Sequence, residues 1–108
     1  MGHEERRHLP RHPAALPIRV RVNGIAHEAR LRDLCVDAAF VETGEAWPVG
    51  TLVELEMELP RSGGPCEIQG RVVRVAGPAS GGPGVAVAFA RVPPTAQTRL
   101  DLFLQRIH

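Results

Sequence analysis

Residues 4–12 read Glu-Glu-Arg-Arg-His-Leu-Pro-Arg-His and carry Arg6, Arg7 and Arg11. A guanidinium is a planar fork of donors that pairs bidentately with phosphate oxygens or with the acceptor edge of guanine, and its flat face stacks on bases. Arg7 and Arg11 stand four residues apart, so on a mobile arm they could embrace a compact anionic purine ligand. Binding would order the arm, and the entropy lost would limit affinity. Taken alone, the same spacing also suits solvated arginines in a tail.

Other chemistry finds less support. All 13 basic residues are arginine and lysine is absent, which excludes a lysine-dependent phosphate loop, a Schiff base and a pyridoxal site. Ser62 and Ser80 lie in glycine-rich stretches without the arrangement that activates a serine, and no H-E-x-x-H or C-x-x-C run occurs. His3, His8 and His12 cluster in the arm, but no acidic or cysteine ligand is fixed beside them, so they read as solvated. Cys35 and Cys66 are too far apart in sequence for a zinc or redox motif, and two free thiols are expected. The chain reads as a non-enzyme with no cofactor or metal.

At 108 residues the chain is long enough for one domain with its own core. Eleven glycines and ten prolines favour short strands and many turns over a helical bundle. The net charge of +1 gives no global field for DNA. Its distribution is uneven: residues 1–32 hold seven Arg against three acids, 33–67 one against eight, and 68–108 five against one. A basic face beside an acidic one is the expectation. No apolar run approaches the 18 or so residues of a membrane span and no signal peptide is evident, so a cytoplasmic setting without membrane insertion is expected.

The elements that would position the arm follow from periodicity. Pro10 and Pro13 deny residues 1–13 a stable helix, making them a flexible arm. Ile18, Val20 and Val22 then alternate with Arg19 and Arg21 as a half-buried strand, and Asn23-Gly24 signals a type I′ hairpin turn. The return strand runs over 25–34, with Leu31 and Asp33 assigned to one face and Arg30 and Arg32 to the other. Residues 33–38 form a connection, 39–43 a brief strand, and 44–50 a loop holding Trp47. Val53, Leu55, Met57 and Leu59 point inward from the next strand, and Glu54, Glu56 and Glu58 outward. Between Cys66 and Ala76 the inward set begins as Ile68, Gly70 and Val72 but continues as Val73 and Val75, which demands a β-bulge near Val72-Val73. Val85, Val87 and Phe89 form a buried final strand. Ala96, Leu100, Phe103, Leu104 and Ile107 then mark an amphipathic helix over about 95–107, with Leu102 on its opposite side. Six short strands and one helix suggest an all-β antiparallel barrel over 14–108 as a single domain, the helix plugging one end or lying on its wall.

In combination these residues resemble a PilZ domain, the bacterial receptor module for cyclic di-GMP. The family opens with an R-x-x-x-R arm before strand one, matched by Arg7-His8-Leu9-Pro10-Arg11 after Glu5-Arg6. Its second signature, (D/N)-x-S-x-x-G after the first hairpin, aligns with Asp33-Leu34-Cys35-Val36-Asp37-Ala38. Gly70-Arg71-Val72-Val73-Arg74-Val75, Gly84-Val85-Ala86-Val87-Ala88-Phe89 and the leucine-rich helix follow the same profile. The resemblance implies a six-stranded antiparallel PilZ-type β-barrel with a C-terminal α-helix. It also implies that Arg7 and Arg11, assisted by Arg6, grip guanine and phosphate while Asp33 accepts hydrogen bonds from a guanine edge. Reorganisation of the arm would pass the signal to a downstream protein partner, since no effector domain is expected on this chain.

The second motif departs from the pattern. Cys35 replaces a serine and offers only a weak thiol, and Ala38 replaces a glycine, at a cost if that position needs positive φ. Asp37 adds a negative charge where phosphates would approach. A second reading follows: a module that no longer binds cyclic di-GMP and acts as a protein-interaction adaptor, through the Glu54, Glu56, Glu58 strip or Leu102.

Overall fold

The computed structural model describes residues 12–77 and 82–106. The elements in order are β1 (His12–Val22), β2 (Ile25–Leu34), β3 (Ala38–Glu42), β4 (Leu52–Glu58), β5 (Pro65–Ala76), β6 (Gly84–Arg91) and α1 (Pro94–Arg106). All neighbouring strands are antiparallel, and the sheet closes on itself in the order β1-β2-β3-β6-β5-β4. This is the six-stranded barrel with a C-terminal helix expected from sequence.

Local chemistry sets the early geometry. Asn23 and Gly24 both take positive φ, 52° and 80°, as the turn joining β1 to β2 requires. Alternation then sends Ile18, Val20 and Val22 of β1 and Val53, Leu55 and Met57 of β4 into one core. Gly70 faces inward too. A Cβ there would stand 2.5 Å from Val87 Cγ1 and 2.8 Å from the Ala88 carbonyl oxygen, so strands β5 and β6 come too close for any side chain.

The barrel closes through β1 and β4, paired from Ile18–Met57 to Arg21–Glu54. Glu54, Glu56 and Glu58 are therefore not an isolated acidic strip. Arg19 lies 3.3 Å from Glu28 and 3.5 Å from Glu56, bridging β2 and β4 across the closure, and Arg21 stands opposite Glu54 in register. Exposed pairs of this kind contribute about 0.2–1 kcal/mol each, so they refine the closure that the core drives.

Helix α1 begins at Pro94, whose fixed φ and missing N–H suit a first helical position. Ala96, Leu100, Phe103 and Leu104 join the barrel core, and Leu102 is exposed, as the periodicity anticipates; Ile107 lies outside the described residues. The helix is tied to the start of β5. Cys66 Sγ lies 3.5 Å from the Ala96 carbonyl oxygen, and the Arg99 guanidinium donates to the carbonyl of Pro65. No described helix is long and apolar enough to cross a membrane.

Both cysteines are free and buried. Burial beneath α1 pushes the Cys66 thiol up to about 11 from 9.0, with Arg99 opposing weakly. The folded state thus favours the protonated thiol: its contribution is fully present below pH 9 and is lost as pH rises from 9 towards 11. Thermal melts between pH 7 and 11 should show the wild type losing up to about 2 kcal/mol more than Cys66→Ala over that interval. Parallel melting profiles would contradict the assignment.

Candidate functional site on the outer wall

The site is built from one row of paired residues that crosses four strands. Asp33 of β2 pairs with Phe40 of β3, Phe40 with Ala86 of β6, and Ala86 with Arg74 of β5. Directly paired residues share a face, and the flanking Leu34, Ala39, Val87 and Val72 are all core, so this row lies on the outer wall.

Two register shifts create the row. One lies between Leu31 and Asp33, making Arg32 an extra residue in β2. Alternation alone put Asp33 on the face of Leu31; instead the bulge sends Leu31 and Leu34 into the core and Asp33 outward. The second lies between Val72 and Arg74, at the expected place in β5. Its effect departs from the sequence reading at Val73, expected inward, while Val75 does share the inward face of Val85. Val73 is the bulged residue, 49% exposed, and Val75 pairs with buried Val85 at the barrel rim, where it stays 42% exposed. Arg74 is thereby set on the outer wall beside Ala86.

Asp33, Leu34, Cys35, Ala38, Ala39, Phe40, Arg74 and Ala86 line a shallow depression of about 80 Å³. That is room for a few waters, given roughly 30 Å³ for each in the liquid. A nucleotide would rest on this surface and need a further wall from elsewhere. Larger depressions, of about 270 and 370 Å³, lie over β1, β4 and β5. The first sets Arg19, Arg21 and Arg91 against Glu54, Glu56 and Glu67, and the second sets Arg19 against Glu28, Glu56 and Glu58, so the second is a poor lining for a polyanion and the first carries no net positive charge.

The 33–38 turn is pinned from within. Cys35 N–H donates to the Ala38 carbonyl at 2.9 Å, and Phe89 N–H to the Asp37 carbonyl at 2.9 Å. The Cys35 thiol donates to Asp37 Oδ1 at 3.2 Å. Its pKa is raised, first by burial and then by the Asp37 carboxylate, with backbone N–H groups opposing. Asp37 accordingly holds the thiol and is absent from the lining of the depression. Ala38 does not take positive φ, so alanine in place of glycine costs no backbone strain.

Of the sequence-derived site residues, Asp33, Cys35 and Ala38 come together in the depression, whereas Arg6, Arg7 and Arg11 lie outside the described residues. The backbone of β1 nevertheless fixes where the arm joins: His12 pairs with Leu34 and Pro13 with Asp33. Sequence reading missed Phe40, Arg74 and Arg32. Arg32 lies with its guanidinium carbon 4.2 Å from the Phe40 ring centroid, and Arg74 with its own 5.7 Å away. The doubled valine before Arg74 was the available signal, since the bulge it marks is what positions that side chain.

The PilZ domain model matches residues 5–106, and the chain belongs to the PilZ domain family. No curated protein matches it. Among solved structures, the chain resembles the Bacillus subtilis inhibitor of motility MotI/DgrA with a TM-score of 0.77 at 16% identity, over 93% of this chain and 50% of that one. It resembles the PilZ domain of CeSA from a cellulose-synthesizing bacterium with a TM-score of 0.65 at 21% identity, over 92% and 99% of the two chains. The PilZ domain of YcgR from Escherichia coli, solved with c-di-GMP, gives 0.67 at 18% identity, over 94% and 93%. The chain thus spans half of MotI/DgrA and nearly all of the other two domains. At these identities the likeness is one of fold.

Gly84 tests how tightly the wall is packed. A Cβ there would stand 2.5 Å from both Phe40 Cε1 and the Val41 carbonyl oxygen, and the backbone cannot yield cheaply. Gly84→Ala should cost about 1–3 kcal/mol in a denaturant titration. A variant as stable as the parent would show that β3 and β6 are packed less closely than this.

Proposed function

We propose that this chain is a cyclic di-GMP receptor module, non-enzymatic and cytoplasmic, that holds the nucleotide between its N-terminal arginines and the outer wall of the barrel. The observation that carries this reading is the pairing of Pro13 with Asp33. It places Pro13 beside the 33–38 turn, and Arg11 precedes Pro13 by two residues in the sequence. The shallowness of the depression at that turn asks for a second wall, and an arm bearing Arg6, Arg7 and Arg11 has the donors to supply one. Arg7 and Arg11 take guanine and phosphate, Arg6 assists, and Asp33 accepts from a guanine edge. Family membership and the c-di-GMP in the YcgR domain structure support the same ligand. Arm reorganisation then signals to a protein partner; the likeness to an inhibitor of motility supports an output of this kind.

Cys35 favours a second reading, an adaptor that no longer depends on nucleotide. Its thiol is buried, held protonated and committed to Asp37, so position 35 offers a ligand no strong hydroxyl.

Calorimetric titration with cyclic di-GMP should give saturable heat, and Arg11→Ala or Asp33→Ala should weaken binding about tenfold to a hundredfold, the loss expected of one charged hydrogen bond. No heat from folded protein at millimolar ligand would sink the receptor reading in favour of the adaptor.

The two departures in the turn should separate. Cys35→Ser is expected to tighten binding roughly threefold to tenfold, while Ala38→Gly alone, relieving no strain, should leave it nearly unchanged. The reverse pattern would place the defect at Ala38.

A further inference from the structure

The exposed large apolar side chains are not scattered. Among the described residues, Ile25, Val49, Leu52, Val73 and Val75 all lie at the end of the barrel away from α1, and only Val36 and Leu102 lie elsewhere. Val49 and Leu52 are 65% and 62% exposed. Leu52 stands opposite Arg71 on the outer face, and the bond from Gly50 N–H to the Val72 carbonyl, 2.7 Å, sets Val49 alongside Val73. The segment that carries Val49 is held in place: Thr51 Oγ1 donates to the Pro48 carbonyl at 2.6 Å, and the Trp47 ring meets His27 edge-on with centroids 5.3 Å apart. An apolar patch on a fixed support marks an interaction site.

The same place has an open strand edge. Strand β5 outruns β4: the last pair is Leu52 with Arg71, followed by the Val72 N–H donating to the Thr51 carbonyl at 2.9 Å. Beyond Val72, no described residue hydrogen-bonds the β4-side edge of residues 73–76, while β6 pairs their other edge as far as Ala76 with Gly84. Such an edge is a template for another strand.

Charge selects what fits. Arg71 and Arg74 flank Val73, and no carboxylate of a described residue comes within ion-pair distance of either. Acids at this end have cations beside them: Glu42 Oε2 lies 3.6 Å from Arg32 Nη1, and Glu45 Oε2 3.9 Å from His27 Nδ1. A second copy of the chain would set like charges against each other. A bilayer would leave the main-chain groups of the open edge without partners. An extended acidic segment satisfies the apolar surface, the edge and the cations together.

We propose that this end of the barrel is a docking surface for an extended acidic segment of a partner protein. The segment adds as a short strand beside residues 73–76, rests apolar side chains on Val49, Leu52 and Val73, and brings a carboxylate to Arg71. The surface is separate from the depression at the 33–38 turn and from the glutamates of β4, and it serves a receptor or a nucleotide-independent adaptor alike.

The test is an amide-shift titration of the full chain, without nucleotide, using two blocked hexapeptides as probes: one alternating glutamate with valine, the other lysine with valine. The acidic peptide should give saturable shifts at residues 49–52 and 71–76 with a Kd of about 1 mM or tighter. The basic one should bind at least about tenfold more weakly, and Arg71→Glu should reverse that order. Leu52→Ser should weaken the acidic peptide by about threefold to tenfold. Both substitutions are at exposed positions, and the amide spectrum itself reports whether each variant is folded. No shifts at those residues, or equal binding of the two peptides, would overturn the proposal. So would co-sedimentation with phosphatidylglycerol vesicles that Leu52→Ser abolishes, which assigns the patch to a lipid surface. A dimer that Leu52→Ser dissolves in sedimentation velocity would assign it to a second copy and equally overturn the acidic partner.

Discussion

Closure of the sheet between β1 and β4 is the constraint on which the rest of this molecule depends. Unclosed, those strands would each present a row of unpaired N–H and C=O groups, and the inward Ile18, Val20, Leu55 and Met57 would lack a cover on one side. Closed, the ring of strands fixes the direction of β1. The pairing of Pro13 with Asp33 belongs to the β1–β2 hairpin, whose register runs from the Asn23-Gly24 turn and shifts between Leu16 and Pro13. Charge follows the same geometry: Arg19 and Arg21 answer the glutamates of β4 across the closure, while Arg71 and Arg74 of β5 face the alanines of β6. The acidic and basic segments seen along the chain thus become a mixed face over β1 and β4 and a basic one over β5 and β6. A phosphate-bearing ligand is favoured on the second.

The candidate site lies where strand periodicity fails. Arg32 is an extra residue in β2 and Val73 in β5, and these bulges flank the row from Asp33 to Arg74. A bulge costs a ladder hydrogen bond and re-aims the side chains beyond it. Here both re-aim a charged residue onto the same outer wall while Leu34 and Val72 stay in the core. Between them β3 and β6 remain regular and closely packed, with Gly84 leaving space for the Phe40 ring. The result is a rigid floor bounded by an acid on one side and a cation on the other. Position 37, which a simple charge count would set against a phosphate ligand, is occupied instead with the thiol of Cys35.

Much of this was legible from residues alone. Asn23-Gly24, the alternation of β1 and β4, the helical spacing of Ala96, Leu100, Phe103 and Leu104, and the doubled valine in β5 each have local causes, and local sequence reports local causes well. The order of the arm motif, the 33–38 turn and the later strands was enough to indicate the family and its barrel. What sequence could not supply was the outward turn of Asp33, the approach of Phe40 and Arg74 to it, and the pinning of Asp37. Period-two alternation assigns faces only until a bulge intervenes, and a bulge in β2 leaves no mark as plain as two valines. Nor does alternation say which strands are neighbours. The row crosses from β3 to β6 and then back to β5, joining residues more than forty positions apart, and only the strand order of the folded sheet brings those strands side by side.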